Sequence, residues 1–147
     1  MRLILLLSMA LAMTGCERSA RSYELDSSSF SGGYLKLVED KTGVTMPLGS
    51  RGLNLYYKGE NLDPSLIAKI EIPKDAAENM IKQMEKIPAS KWSFQNTLSK
   101  KVTWWDISNT APRIERQFNS ASSSGFVDIS LREEGEHWIL YVFWAAV

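Results

Sequence analysis

The C-terminal segment constrains the fold more than any other part of the chain. Residues 138–144 are seven consecutive large apolar side chains, Trp-Ile-Leu-Tyr-Val-Phe-Trp. A strand that is apolar on both sides is usually covered on both faces or lies centrally in a sheet. Residues 127–131 alternate between apolar and polar side chains, and the glycine-containing turn at 133–136 predicts that the two segments pair as a β-hairpin. This pattern predicts a layered domain built on a sheet.

One helix is predicted with clear boundaries. Pro73 suits the first turn of a helix, where its missing N–H costs nothing, and Pro88 ends the pattern. An apolar stripe at helical spacing lies between them. It consists of Ala77, Met80, Ile81, Met84 and Ile87.

Strand-forming residues fill most of the remaining chain. They predict strands at residues 34–38, 53–57, 66–72 and 101–106. Residues 112–118 fit either a short helix or a strand, and the serine-rich stretch 119–125 predicts a mobile loop. The order of elements favours an α+β fold, a mainly antiparallel sheet with one amphipathic helix (73–87) packed on one face and a C-terminal β-hairpin.

The N-terminus carries a targeting signal. Arg2 precedes an apolar run from Leu3 to Met13, a length that fits a signal-peptide core and is short for a bilayer span. The run ends in Met13-Thr14-Gly15-Cys16, which resembles the lipobox of bacterial lipoproteins. The resemblance covers residues 1–16 only. It implies cleavage before Cys16, a diacylglycerol on the Cys16 thiol and often a fatty acid such as palmitate on the new amino group, so that lipid holds the protein to a membrane.

Two alternatives to the lipoprotein signal are an ordinary secretory signal with a chance cysteine and a buried N-terminal helix. Cys16 is the only cysteine, and a secreted protein with one leftover thiol would be unusual, which favours lipidation. The next residue is Glu17 rather than Asp. In the lipoprotein family this implies an outer membrane lipoprotein facing the periplasm, or the outer face of the cytoplasmic membrane in a host with one membrane.

The expected cleavage divides the chain into three parts. Residues 1–15 are the predicted signal peptide, residues 16–33 the lipidated cysteine and a serine-rich flexible tether, and residues 34–147 a single globular α+β domain. The alternative is that Phe30 packs back onto the domain, which would shorten the tether. Removing 15 of the 147 residues leaves 132. Because Arg2 is the one charged residue removed, 16 basic side chains remain against 17 acidic ones. Such a balance has no electrostatic footprint for nucleic acid, so none is expected as a partner.

Residues with catalytic or metal-binding potential are few. His137 is the only histidine and lies at a predicted turn, and the sequence has no Gly-x-Ser-x-Gly motif. A transition-metal site needs more His and Cys than the chain offers, so we expect no metal and no cofactor. Asp106 and Asp128 could form the carboxylate pair of a glycosidase, although solvated carboxylates on a sheet are the simpler interpretation. We therefore expect a protein that is not an enzyme.

Trp104 and Trp105 are the strongest candidates for binding. Neighbours on a strand point to opposite faces, so one would enter the core and the other would face outward beside Asp106, where it could stack on a sugar or anchor a protein. The alternative is that both are buried. A small anchored domain without catalytic groups favours a non-enzymatic protein that binds another protein in the cell envelope, for instance an immunity or inhibitor lipoprotein. The alternatives are a cell-wall glycan-binding or hydrolytic lipoprotein and a subunit of an envelope assembly complex.

Overall fold

The computed structural model describes residues 21–59, 62–90, 95–107 and 109–147. Its six strands form one antiparallel sheet in the order β1-β2-β3-β6-β5-β4, and α1 and α2 pack on one face. An α+β fold that is mainly antiparallel sheet is therefore confirmed, and the segment 112–118 is a strand. The predicted signal peptide and Cys16 lie outside the described residues. The elements are β1 (Tyr23–Leu25), α1 (Gly32–Thr42), β2 (Arg51–Lys58), β3 (Ser65–Ile72), α2 (Ala77–Glu85), β4 (Pro112–Asn119), β5 (Gly125–Glu134) and β6 (His137–Ala146).

The apolar C-terminal strand, β6, lies between β3 and β5 in the middle of the sheet. Leu140, Val142 and Trp144 face the helices, whereas Tyr141 and Phe143 face the other side, and all five are buried. Cover on both faces explains why apolar side chains occupy successive positions of this strand.

α1 occupies the segment 34–38, for which the sequence predicted a strand, and that prediction is wrong. Val38 and Thr42 are buried one helical turn apart, so the apolar spacing that fits a short strand also fits a longer helix. Gly43 ends the helix in the left-handed conformation (φ 74°), and its N–H donates to the Glu39 carbonyl at 2.7 Å. The described chain thus has two helices on the sheet where one was expected.

α2 matches the predicted helix 73–87 in its centre and differs at its ends. It is preceded by a 3-10 turn, Lys74–Ala76, and it stops at Glu85. Met80 and Met84 are buried against the sheet, as the apolar stripe predicted. No helix within the described ranges is long and apolar enough to cross a membrane.

The chain before α1 belongs to the domain, so the prediction of a flexible tether up to residue 33 is wrong over its described part. β1 adds an edge strand, on which the Tyr23 ring stacks against that of Tyr57 with centroids 5.2 Å apart. Phe30 lies in the core with only 5% of its surface exposed, over Gly52 of β2. The burial of Phe30 offsets the entropy of ordering the serine-rich segment.

Asp26 closes the serine-rich turn between β1 and Phe30. Its Oδ1 accepts hydrogen bonds from the backbone N–H groups of Ser28 and Ser29, at 3.0 and 3.1 Å, and from both hydroxyls. These hydrogen bonds lower the pKa of Asp26 to about 2, and the bond from the Ser28 hydroxyl has the largest effect. Serines that suggested disorder therefore serve as turn donors.

Residues 95–107 cover the face of the sheet opposite the helices. A strand was expected at 101–106, but a 3-10 turn, Leu98–Lys101, leads into irregular chain. The prediction fails because the apolar residues of this segment lie across the sheet rather than pair with a neighbouring strand. The second hydrophobic cluster on this face consists of Leu98, Ile67, Phe126 and Phe143.

The serine-rich loop 119–125, predicted to be mobile, is held against the end of α1. The hydroxyls of Ser122 and Ser123 donate to the carbonyl oxygens of Asp40 and Lys41, at 2.7 and 2.6 Å. The last carbonyls of a helix have no partner within the helix, so these side chains cap α1 from outside. The loop between β4 and β5 is thus connected to the C-terminal end of α1.

Candidate functional site

A pocket opens on the face of the sheet that residues 95–107 cover. β4, β5 and β6 place Glu115, Ser130 and Tyr141 side by side in one row. Asp128 points to the same side as Ser130 because side chains alternate along a strand. We call this pocket the acidic cleft; it has a volume of about 310 Å³ and is lined by Asn96, Ser99, Trp105, Ile107, Glu115, Asp128, Ser130 and Tyr141.

Asp128 is the more buried acid of the cleft. Its cross-strand neighbour Gln117 donates from Nε2 to Oδ2 at 3.0 Å. Burial raises the pKa of the Asp128 carboxyl, and the charge of Glu115 raises it further, against the opposing effects of Gln117 and Arg132. The second acid of the cleft is thus Glu115 and not Asp106, the residue that the sequence suggested as a partner for Asp128.

Arg132, which no sequence pattern singled out, organises one side of the cleft. It is 5% exposed, and its guanidinium donates to Glu115 Oε1 at 3.2 Å and to Ser130 Oγ at 2.9 Å. Nη1 donates to the carbonyl oxygens of Ile107, at 2.7 Å, and Thr110. The side chain therefore ties the covering segment to β5. Alternation along β5 could have revealed it, since it places a charge on the covered face, where a charge needs partners.

Tyr141 forms part of the cleft floor. Its hydroxyl donates to Glu134 Oε1 at 2.5 Å, and its ring meets that of Trp105 edge-on, with centroids 5.1 Å apart. On the side of β3, Lys69 Nζ lies 5.2 Å from the centre of the Tyr141 ring and 3.3 Å from Glu134 Oε2. Burial, and then the Glu134 hydrogen bond, raise the pKa of the Tyr141 hydroxyl above its ordinary value.

Of the three residues predicted to bind a partner, the structure keeps Trp104 and Trp105 in contact and places Trp105 alone in the cleft lining. Trp105 lines the cleft and is half-buried. Trp104, also half-buried, lies edge-on to it with ring centroids 6.1 Å apart, and its Nε1 donates to Glu24 Oε1 at 2.7 Å. Asp106 is exposed outside the cleft lining, where Asn109 donates to its carboxylate at 3.0 Å. The expectation of opposite faces fails because no strand forms here.

His137 lies outside the cleft lining, at the start of β6. Its side chain is 62% exposed, and Nδ1 is 2.6 Å from Glu71 Oε1. Arg51 donates to the other oxygen of Glu71 at 2.6 and 3.1 Å. Arg51, and then His137, lower the pKa of the Glu71 carboxyl. These contacts make His137 part of a surface ion-pair cluster.

The chemistry that the cleft offers is hydrogen-bond acceptance beside an aromatic wall. Its carboxylates, hydroxyls and amide suit a ligand that carries donors or a positive charge. Among the described residues, no group of three or more His, Cys, Asp or Glu side chains is placed to hold a metal. Comparison of the chain with family models, with curated proteins and with solved structures finds no match.

Proposed function

We propose that this chain is a membrane-anchored, non-enzymatic lipoprotein domain of the cell envelope that binds another protein through the acidic cleft. The observation that carries the proposal is a half-exposed tryptophan, Trp105, in one pocket with the carboxylates of Glu115 and Asp128. Aromatic side chains in such pockets are typical anchors of protein interfaces. Because Arg132 ties the covering segment to the sheet, less ordering is left for the binding step.

The anchor is supported by the lipobox-like sequence that ends in Cys16. It favours the periplasmic side of the outer membrane, or the outer face of the cytoplasmic membrane in a host with one membrane. Residues 17–22 separate Cys16 from β1, and the seven residue steps from Cys16 to Tyr23 reach at most about 25 Å. The cleft lies on β4, β5 and β6, at least three strands from the edge strand β1 where this segment joins the sheet.

The anchor is tested by Cys16→Ser in cells fed a radioactive fatty acid. The unchanged protein should take up label, whereas the variant should remain an unlabelled, uncleaved precursor. Label retained on the variant would exclude Cys16 as the site of attachment.

Binding is tested with a photo-reactive amino acid at Asn96, which lines the cleft. The matched control places it at Lys82, exposed on α2 on the opposite side of the sheet. Illumination of cells should give a protein adduct of one defined mass from position 96 only, and Trp105→Ala should abolish it. Equal adducts from both positions, or none from position 96, would contradict the proposal.

The adduct also distinguishes forms of the proposal. An immunity or inhibitor lipoprotein should be joined to an exported toxin or a wall-degrading enzyme, and a subunit of an envelope assembly complex to another subunit. A glycan ligand is the second candidate, because Trp105 beside Asn96 and Ser99 combines a stacking plane with hydrogen-bonding groups. In that case soluble cell-wall sugars should shift the Trp105 indole resonance.

A further inference from the structure

The charges and the aromatic wall of the acidic cleft indicate which chemical group it accepts. We propose that the cleft binds one cationic side chain of the partner, an arginine or a lysine, with the Asp128 carboxylate as counter-ion and the Trp105 ring as stacking surface. This inference rests on the proposed function and narrows it to a ligand class.

The side chains that line the cleft are acidic or neutral. Glu115 and Asp128 are acids, and none of the described residues that line the cleft is basic. The neighbouring Arg132 is buried, and its hydrogen bonds to Glu115, to Ser130 and to backbone carbonyls hold it in place. Arg132 is hydrogen-bonded to Glu115 and acts on Asp128 only through its charge, the smallest of the effects on that carboxyl, whereas the hydrogen bond that described residues give Asp128 comes from the neutral Gln117. A partly desolvated carboxylate of this kind is stabilised by an opposite charge.

The same face of the sheet already holds one cation, Lys69, between a carboxylate and an aromatic ring. Lys69 Nζ contacts the Glu134 carboxylate at 3.3 Å and lies 5.2 Å from the Tyr141 ring centre. On the other side of Tyr141, toward β5 and β4, the cleft offers the Asp128 carboxylate and the Trp105 ring. Tryptophan is the aromatic side chain that attracts cations most strongly.

The volume of the cleft also fits a single side chain. At about 310 Å³, the cleft lies at the lower end of the ~300–1,000 Å³ range of small-molecule pockets, which suits a single side chain. Ile107 provides an apolar surface for the methylene stem of arginine or lysine. The Ser99 hydroxyl donates to the Asn96 carbonyl, so its oxygen can accept a bond from one of the remaining N–H groups.

The experiment titrates the full-length protein in detergent with Nα-acetyl-arginine amide and follows the indole N–H resonance of Trp105, assigned with Trp105→Phe. Nα-acetyl-citrulline amide is the matched control because it has nearly the same shape without the charge. The arginine probe should shift the resonance with an affinity at least about tenfold higher, since charge-assisted hydrogen bonds are roughly twice as strong as neutral ones.

Asp128→Asn removes the charge and keeps the shape of the side chain. It should weaken the arginine probe about tenfold and leave the citrulline probe unchanged. Asp75→Asn, which removes the same charge at an exposed position before α2, should bind as the unchanged protein does. Since burial disfavours the charge of Asp128, the asparagine variant should keep its melting temperature, which confirms that it is folded.

Equal affinities for the two probes, or an unchanged affinity in Asp128→Asn, would overturn the inference. If the adduct from position 96 persists in that case, the proposed function stands with a different ligand group. If the adduct is also absent, both fail. A response of Trp105 to cell-wall sugars, without any response to the arginine probe, would overturn the cationic ligand in favour of a glycan.

Discussion

Replacing Gly52 with alanine should expel Phe30 from the core. A Cβ at position 52 would lie 2.1 Å from Phe30 Cγ and 2.4 and 2.5 Å from the two Cδ atoms, so the ring would have to leave its site. Gly52 does not have a positive φ, so alanine adds no backbone strain of its own. The whole cost of the substitution therefore arises from the displaced ring.

The burial of Phe30 sets the magnitude. Phe30→Ala should lower the free energy of unfolding by about 3–5 kcal/mol, the usual cost of removing a buried phenylalanine. Gly52→Ala should cost about as much, because both changes empty the same site. Once the ring is gone, the new methyl group meets open space, so the double variant should cost about as much as Phe30→Ala alone. The two single costs should therefore fall short of additivity by the cost of Gly52→Ala, about 3–5 kcal/mol.

Urea unfolding followed by circular dichroism measures all four proteins of this cycle. Gly32→Ala is the control, since a Cβ there meets nothing within 4 Å, and it should cause no loss of stability. A chain that starts at Gly33 should be destabilised as Phe30→Ala is. A harmless Gly52→Ala, or costs that simply add, would refute the contact and restore the flexible tether.

Three further perturbations test other parts of the structure. Trp104→Ala and Trp105→Ala should each lower the free energy of unfolding by about 2 kcal/mol in urea titrations. Removing a fully buried ring would cost about 3–5 kcal/mol, and each of these rings is half-buried. No loss of stability in either variant would contradict the packing. The lowered pKa of Glu71 stabilises the fold at pH values above the unfolded pKa of 4.5, and this stabilisation is lost as the pH falls through the lower folded pKa. Glu71→Gln should therefore flatten the acid side of a pH–stability curve. An unchanged curve would contradict the ion-pair cluster. His137→Ala should leave the phenotype of the gene intact and the melting temperature nearly so, because the side chain is largely exposed; loss of function in a folded variant would point to acid–base chemistry.

The local sequence pattern was sufficient to predict those elements whose apolar residues fit one type of secondary structure only. α2 has a proline before it and an apolar stripe along it, and β6 has a continuous apolar run that demands a central position. α1 was missed because Tyr34 to Val38 satisfies both periods, and its cap comes from Ser122 and Ser123, far along the chain. Contacts that settle such an ambiguity are not local in the sequence.

The acidic cleft was only partly predictable for the same reason. Trp105 and Asp128 were recognised as single residues, but the register that brings Glu115 beside Ser130 depends on β4, a segment that fitted two structures. The role of Arg132 depends on its hydrogen bonds to carbonyl groups in the covering segment, and the sequence patterns predicted a strand in that segment. Site geometry follows here from tertiary packing rather than from any motif.

The hydrogen bond between Glu24 and Trp104 would have a mechanical consequence under the proposed anchoring through Cys16. Tension from the bilayer would reach the domain through the N-terminal end of β1, a short edge strand with three residues in register with β2, and would pull this strand from the sheet. Glu24 would then release Trp104, and with it one support of the segment that carries Trp105. A partner that pulls the domain away from the bilayer would thereby loosen its own binding site, so load would shorten the lifetime of the complex.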